Sequence, residues 1–191
     1  MKKLYSLVIA AVAAVALSFT AQAGDSYYEV FGGLNFSTVD YNGVDFRTGV
    51  HVGLRGALEI PSVTQGFYVN AATALSYRGF KADTVSYNPC YLDIPVHAGY
   101  KYENDDRITL FAEAGPYVGI GLFGKSEGRN IFSDEVGYKR IDLGLGLRTG
   151  IEIDKKYVIS VGGDFGFLNV IDINGKGAKP RNLTISFAYK L

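Results

Sequence analysis

The chain has 191 residues, with 19 basic and 19 acidic side chains, two histidines and 48% hydrophobic residues. The balanced charge gives no electrostatic footprint for nucleic acid, and the single cysteine, Cys90, excludes an intrachain disulfide and a cysteine-based zinc site. Past the N-terminal segment no apolar run is long enough for a helix across a bilayer, so any crossing must be made by strands.

Residues 1–23 read as a secretory signal: Lys2 and Lys3, an apolar run from Leu4 to Phe19, then an Ala-x-Ala site ending at Ala23. The next residue is Gly24 rather than cysteine, so a lipoprotein anchor is not indicated. The remaining 24–191 fits one domain. Without Lys2 and Lys3 it carries 17 basic and 19 acidic side chains.

Eight alternating segments follow, at about 27–37, 44–60, 66–80, 90–102, 107–123, 139–153, 156–167 and 181–191. The first sets Val30 and Leu34 against Glu29 and Phe31. The second sets Val50, Val52 and Leu54 against Arg47, His51, Arg55 and Glu59. The third sets Val69 and Leu75 against Asn70 and Arg78. The fourth sets Leu92, Ile94 and Val96 against Tyr91, Asp93, His97 and Lys101. The fifth sets Leu110, Val118 and Leu122 against Phe111, Glu113 and Tyr117.

The sixth shows the pattern best. Its odd positions from Ile141 are nearly all aliphatic, while its even positions read Arg140, Asp142, Gly144, Gly146, Arg148, Gly150 and Glu152. A period of two makes this a strand with two unlike faces. Glycine weakens a strand, and a face open to water has no need of it. A narrow barrel interior does, because glycine makes room for long charged side chains. The seventh segment sets Ile159 and Val161 against Ser160 and Asp164. The eighth sets Leu183, Ile185 and Phe187 against Ser186 and Lys190.

Short turns at 61–65, 103–106 and 154–155 alternate with longer connections at 80–89, 124–138 and 168–180. Short periplasmic turns and long outer loops are the outer-membrane barrel pattern. Tyr28, Phe67, Tyr100, Tyr102, Tyr157 and Tyr189 then fall at one end of the apolar faces, and Phe36, Phe46, Tyr77, Phe165 and Phe167 at the other. Two such belts match the two membrane interfaces. The last segment alternates to Leu191, as in the C-terminal signal read by the outer-membrane insertion machinery. The fold expected is all-β: an eight-stranded antiparallel up-and-down transmembrane barrel behind a cleavable signal. A soluble lipocalin-type barrel, with its apolar face inward, is the competing architecture.

Tyr91-Leu92-Asp93-Ile94-Pro95-Val96, followed by Phe111-Ala112-Glu113-Ala114-Gly115-Pro116-Tyr117-Val118-Gly119, resembles the PorT-type family of small outer-membrane barrel domains. That family shows a YLEIP-like strand followed by an AGPY-like strand, with Asp93 here in place of the usual glutamate. The resemblance implies a small barrel. It also brings in an accessory role in protein secretion, since one member of the family participates in secretion.

Gly119-Ile120-Gly121-Leu122-Phe123-Gly124-Lys125-Ser126 matches the phosphate-loop pattern. That loop needs a helix after it, and here Glu127-Gly128-Arg129-Asn130 follows, so the glycines are read as strand. His51 and His97 fall on inward faces and are read as hydrogen-bonded lumen residues rather than as metal ligands or catalytic bases. No serine has a recognisable nucleophile context. The sequons at Asn35 and Asn182 lie in strands.

The inward charges are Glu29, Arg47, Arg55, Glu59, Arg78, Asp93, Lys101, Glu113, Arg140, Asp142, Arg148, Glu152, Asp164 and Lys190, seven of each sign. Buried charge persists only when paired and hydrogen-bonded, so the set reads as a salt-bridged plug, with conduction as the alternative. Ile131, Phe132, Val170, Ile171 and Ile173 are apolar residues in presumed outer loops, where they either bind a partner or cover the mouth. The expectation is a non-enzymatic outer-membrane protein with no cofactor or metal. Its expected partners are outer-membrane lipid, the insertion machinery and an extracellular or envelope protein. A secretion accessory, a membrane enzyme and a narrow pore are the alternatives.

Overall fold

The computed structural model describes residues 26–82, 85–103, 107–173 and 175–191. The expected signal segment lies outside them. The strands are β1 (Ser26–Val39), β2 (Val44–Glu59), β3 (Phe67–Tyr77), β4 (Phe80–Ala82), β5 (Val85–Glu103), β6 (Ile108–Ser126), β7 (Arg129–Asn130), β8 (Ile141–Ile153), β9 (Tyr157–Gly166), β10 (Ile171–Ile173), β11 (Lys176–Ala178) and β12 (Pro180–Lys190).

Eight of these are long, and each pairs antiparallel with its neighbour in the order β1-β2-β3-β5-β6-β8-β9-β12. The ring closes because β1 has two partners. Leu34 lies opposite Val50 of β2 on one side and Ile185 of β12 on the other. Closure leaves no sheet edge, which is what lets strands cross a bilayer with every backbone group bonded. The soluble alternative fails on the direction of the faces. Val50, Val52, Leu145, Leu147, Ile159, Val161, Ile185 and Phe187 are all exposed, while Glu29, Arg55, Glu113, Asp142 and Glu152 are buried.

Both aromatic belts lie on the outer surface. Tyr28, Tyr100, Tyr102, Tyr157 and Tyr189 are exposed at the short-turn end; Phe46, Tyr77, Phe123, Phe165 and Phe167 are exposed at the other. The turn between β8 and β9 is tight. Asp154 and Lys155 both have positive φ, 51° and 57°, and Lys156 N–H donates to Ile153 at 3.1 Å. This is the mirror-image two-residue hairpin whose twist matches the flanking strands. Arg107 Nε donates to Asp154 at 2.8 Å across to the next turn, and that bond holds the Asp154 carboxyl below the usual carboxylate range.

Two expectations need correction. Leu92 and Leu122, expected against lipid, are buried at 1% and 8% exposure. The β5–β6 register shifts between Cys90 and Tyr91, so Leu122 is the extra residue of a bulge, and Phe123 takes the lipid-facing position beyond it. The long connections are also not plain loops. β4 pairs with both β2 and the start of β5, β7 folds back on the end of β6, and β10 pairs with β11. The phosphate-loop pattern is strand, since residues 119–126 lie within β6.

The lipid face gives the first test. Leu145 is 47% exposed in mid-strand. Leu145→Arg should cost about 2–4 kcal/mol of barrel stability if it lies near the bilayer midplane, while Leu145→Phe should stay within about 0.5 kcal/mol. Denaturant titration in lipid vesicles measures both. A harmless arginine would reverse the face assignment.

Candidate functional site: the lumen and its cap

Glu113 is the centre of the lumen. β6 places it inward, opposite Gly99 of β5 and Arg148 of β8. Its carboxylate accepts from Arg148 Nε at 2.7 Å and Nη2 at 3.0 Å, Tyr68 Oη at 2.7 Å, Asn70 Nδ2 at 2.9 Å and His97 Nδ1 at 3.1 Å. The fork of Arg148 meets the carboxylate through two nitrogens, the strong geometry for such a pair. Space for this comes from glycine. A Cβ on Gly99 would lie 2.6 Å from the Tyr68 ring and 2.7 Å from Glu113, and one on Gly146 would lie 2.7 Å from His97 Nε2.

Other pairs stack above and below. At the short-turn end Lys101 bonds Glu59 at 2.7 Å and Lys190 bonds Glu152 at 2.5 Å, with both ammonium groups over the Tyr27 ring. Arg55 bonds Glu29 at 2.6 Å and lies over Phe31. Toward the outer end Arg78 bonds Asp93 at 2.6 Å and Asp142 at 3.3 Å, with Tyr117 Oη donating to Asp142 at 2.9 Å. Three of the expected network residues form no ion pair among the described residues: Arg47, Arg140 and Asp164. Arg140 is exposed at the mouth, donates to the Gly121 and Leu122 carbonyls, and lies over Phe132. Asp164 accepts from Asn182 at 2.9 Å.

Above the charges the outer connections form a hydrophobic cap. Its buried core is Val39, Phe80, Tyr91, Ile131, Tyr138, Val170, Ile171 and Ala178. Phe80 stacks on Tyr87 at 4.6 Å, and Phe132 meets Tyr91 and Tyr138 edge-on. Backbone bonds join the loops: Lys139 N–H donates to Val170 at 2.7 Å and Asp40 N–H to Lys179 at 2.9 Å. Burial pushes the Tyr138 phenol up. Ile131, Val170 and Ile171 are at most 4% exposed and pack over the mouth. Phe132 is half-buried in the same cap. The side chain of Ile173 lies outside the described residues.

Within the charged interior lies a cavity of about 80 Å³, lined among others by Asn35, His51, Ser76, Arg55, His97, Arg148 and Ser186. His51 joins three strands there. Its Nε2 lies 2.8 Å from Ser186 Oγ on β12, and its Nδ1 lies 2.8 Å from Asn35 Oδ1 on β1. Sequence reading placed His51 inward but missed its partners, which lie 16 and 135 positions away. No local motif links them; only the register does. Among the described residues no cluster of three or more His, Cys, Asp or Glu side chains could hold a metal.

The Glu113–Arg148 pair supplies a second test. Removing one partner strands the other charge, which costs about 3–5 kcal/mol. Arg148→Ala should therefore unfold at markedly lower temperature than wild type. The double variant Glu113→Gln/Arg148→Met should recover part of the loss. Thermal melts followed by loss of the folded gel band measure both; an Arg148→Ala barrel as stable as wild type would remove the pair from the stabilising set.

The chain matches the family model described as outer membrane protein beta-barrel domain over residues 16–172. Among solved structures it is similar to Neisserial surface protein A, with a TM-score of 0.61 at 12% identity over 89% of this chain and 99% of that one. It is also similar to Ail, the attachment invasion locus protein of Yersinia pestis, with a TM-score of 0.50 at 16% identity over 89% of this chain and 100% of that one. No curated protein sequence matches it. At these identities the structures speak for the fold, and the family match for membership. The chain belongs to the outer membrane protein beta-barrel domain family and is a β-barrel of the outer membrane.

Proposed function

We propose that the protein is a structural, non-conducting element of the outer membrane whose outer rim meets an envelope or extracellular protein. The observation that carries this reading is the double closure of the lumen. Charges neutralise one another along its length, around Glu113 and Arg78 above all, and the cap covers the mouth. An ion crossing it would have to break buried pairs, which the low dielectric of such an interior makes costly. With Ile131, Val170 and Ile171 buried, partner contact falls to the exposed polar rim, including Lys125, Glu127, Arg129, Glu135 and Lys176. The wall takes outer-membrane lipid, and the insertion machinery assembles the barrel during biogenesis. This role makes no use of catalysis, cofactor or metal.

A second reading is an accessory part of a secretion or assembly complex. The PorT-type resemblance of Tyr91–Val96 and Phe111–Gly119 favours it. These stretches pair with each other, Asp93 opposite Gly119 and Pro95 opposite Tyr117, so they form one continuous part of the wall.

Three measurements test the pair of readings. The mature protein, starting near Gly24, should fractionate with outer membrane and migrate differently on gels with and without heating. In planar bilayers it should show no stable conductance; a steady ion-selective current would replace the closed barrel with a pore. Crosslinking in native membranes should recover an envelope protein through the rim, and recovery of secretion components would select the second reading.

A further inference from the structure

The geometry points to an activated serine in the lumen: we propose that Ser186, His51 and Asn35 form an acyl-transfer site for small carboxylic esters. This goes beyond the structural role and is independent of it. It also departs from the sequence-based expectation of a non-enzymatic protein.

The argument rests on which atoms carry hydrogen. The Asn35 amide nitrogen donates to the Tyr77 carbonyl at 3.1 Å, the Val50 carbonyl at 3.2 Å and Ser76 Oγ at 2.8 Å. Carbonyls only accept, so the orientation of the amide is fixed and Oδ1 is what faces His51. An acceptor at 2.8 Å requires hydrogen on His51 Nδ1. In the neutral ring Nε2 is then a bare lone pair, and it faces Ser186 Oγ at 2.8 Å. Nucleophile, base and orienting group thus stand in the order that acyl-transfer sites use on unrelated folds.

The surroundings supply the rest. All three residues line the cavity. Arg55 and Arg148 line the same cavity, and their Nε and Nη1 are buried with no hydrogen-bond partner among the described residues, which makes these N–H groups the candidate donors to a developing oxyanion. The cavity, at about 80 Å³, holds a short acyl group or several waters. Leu147, Arg148 and Gly162 line both this cavity and a groove on the lipid face. The size of the cavity limits the substrate class to small esters.

In the reaction Ser186 Oγ adds to the ester carbonyl carbon while its proton passes to His51 Nε2. The tetrahedral oxyanion collapses, the carbon–oxygen bond to the alcohol breaks, and the alcohol leaves with that proton. Water, deprotonated by the same nitrogen, then adds to the acyl-serine. Collapse releases the carboxylic acid and restores Ser186.

The test uses the folded full barrel in detergent, treated with dimethyl fluorophosphate and mapped by peptide mass spectrometry. Ser186 should be phosphorylated. Since a positioned base contributes at least about 100-fold, His51→Gln should slow labelling by at least that factor. Asn35→Leu should slow it, and Asn35→Asp, which keeps the oxygen, should restore it. Ser160 lies directly opposite Ser186 on β9, is equally buried and has no histidine; Ser160→Ala should leave labelling unchanged. Wild type should hydrolyse p-nitrophenyl acetate, and Ser186→Ala should not. Heat-modifiable migration reports folding of every variant, and wild type with Ser186→Ala decides even if the others misfold. A folded wild type whose Ser186 reacts no faster than Ser160, or a Ser186→Ala barrel that hydrolyses as fast as wild type, would overturn the proposal.

Discussion

Charge neutralisation inside a narrow, closed wall is the constraint on which the rest of this structure depends. An eight-stranded barrel leaves an interior about one layer of side chains wide. Every carboxylate turned into it must find a cation or a donor there. Glu113 does so most completely, with four side chains donating to it from β3, β5 and β8. The glycines at 99 and 146 follow from the same constraint, because a methyl group at either position would occupy space that Tyr68, Glu113 or His97 already fills. The pairs that hold the strands in place therefore also fill the interior.

The cap closes the barrel by a different force. Its residues come from three outer connections and from the strands β1 and β5, and each is short of partners alone. Together Phe80, Tyr91, Ile131, Tyr138 and Val170 bury one another and are removed from water. Cross-loop backbone bonds then fix the loops against each other. A mouth covered this way leaves polar side chains on the outside.

Polar groups that the ion pairs do not use gather around His51, beside the cavity. A buried imidazole needs partners for both nitrogens, and the register supplies Asn35 and Ser186. Packing accounts for the burial of all three. Their relative order, with the serine on the lone-pair side, makes chemistry available that burial alone does not require.

The alternation of charged or glycine residues with aliphatic ones, as in Arg140–Ile153, determined the strand type, the strand number and which face meets lipid, because a period of two allows only two faces and only one of them tolerates hydrocarbon. The aromatic belts were legible for the same reason: their positions answer to the membrane, not to a neighbour in the fold. Composition likewise determined that inward charge had to balance. What it left open were the partners. Arg78 with Asp93 and Asp142, Arg148 with Glu113, and His51 between residues of the first and last strands all depend on register, and a shift of two residues would preserve every alternation while changing each pair. The bulge that buries Leu122 and the cap that buries Ile131, Val170 and Ile171 arise from contacts between distant segments. The sequence alone determined a membrane barrel with a balanced interior; only the tertiary structure decided which charges meet, how the mouth is sealed and which serine faces the histidine, because those outcomes are set by distances across the barrel and not along the chain.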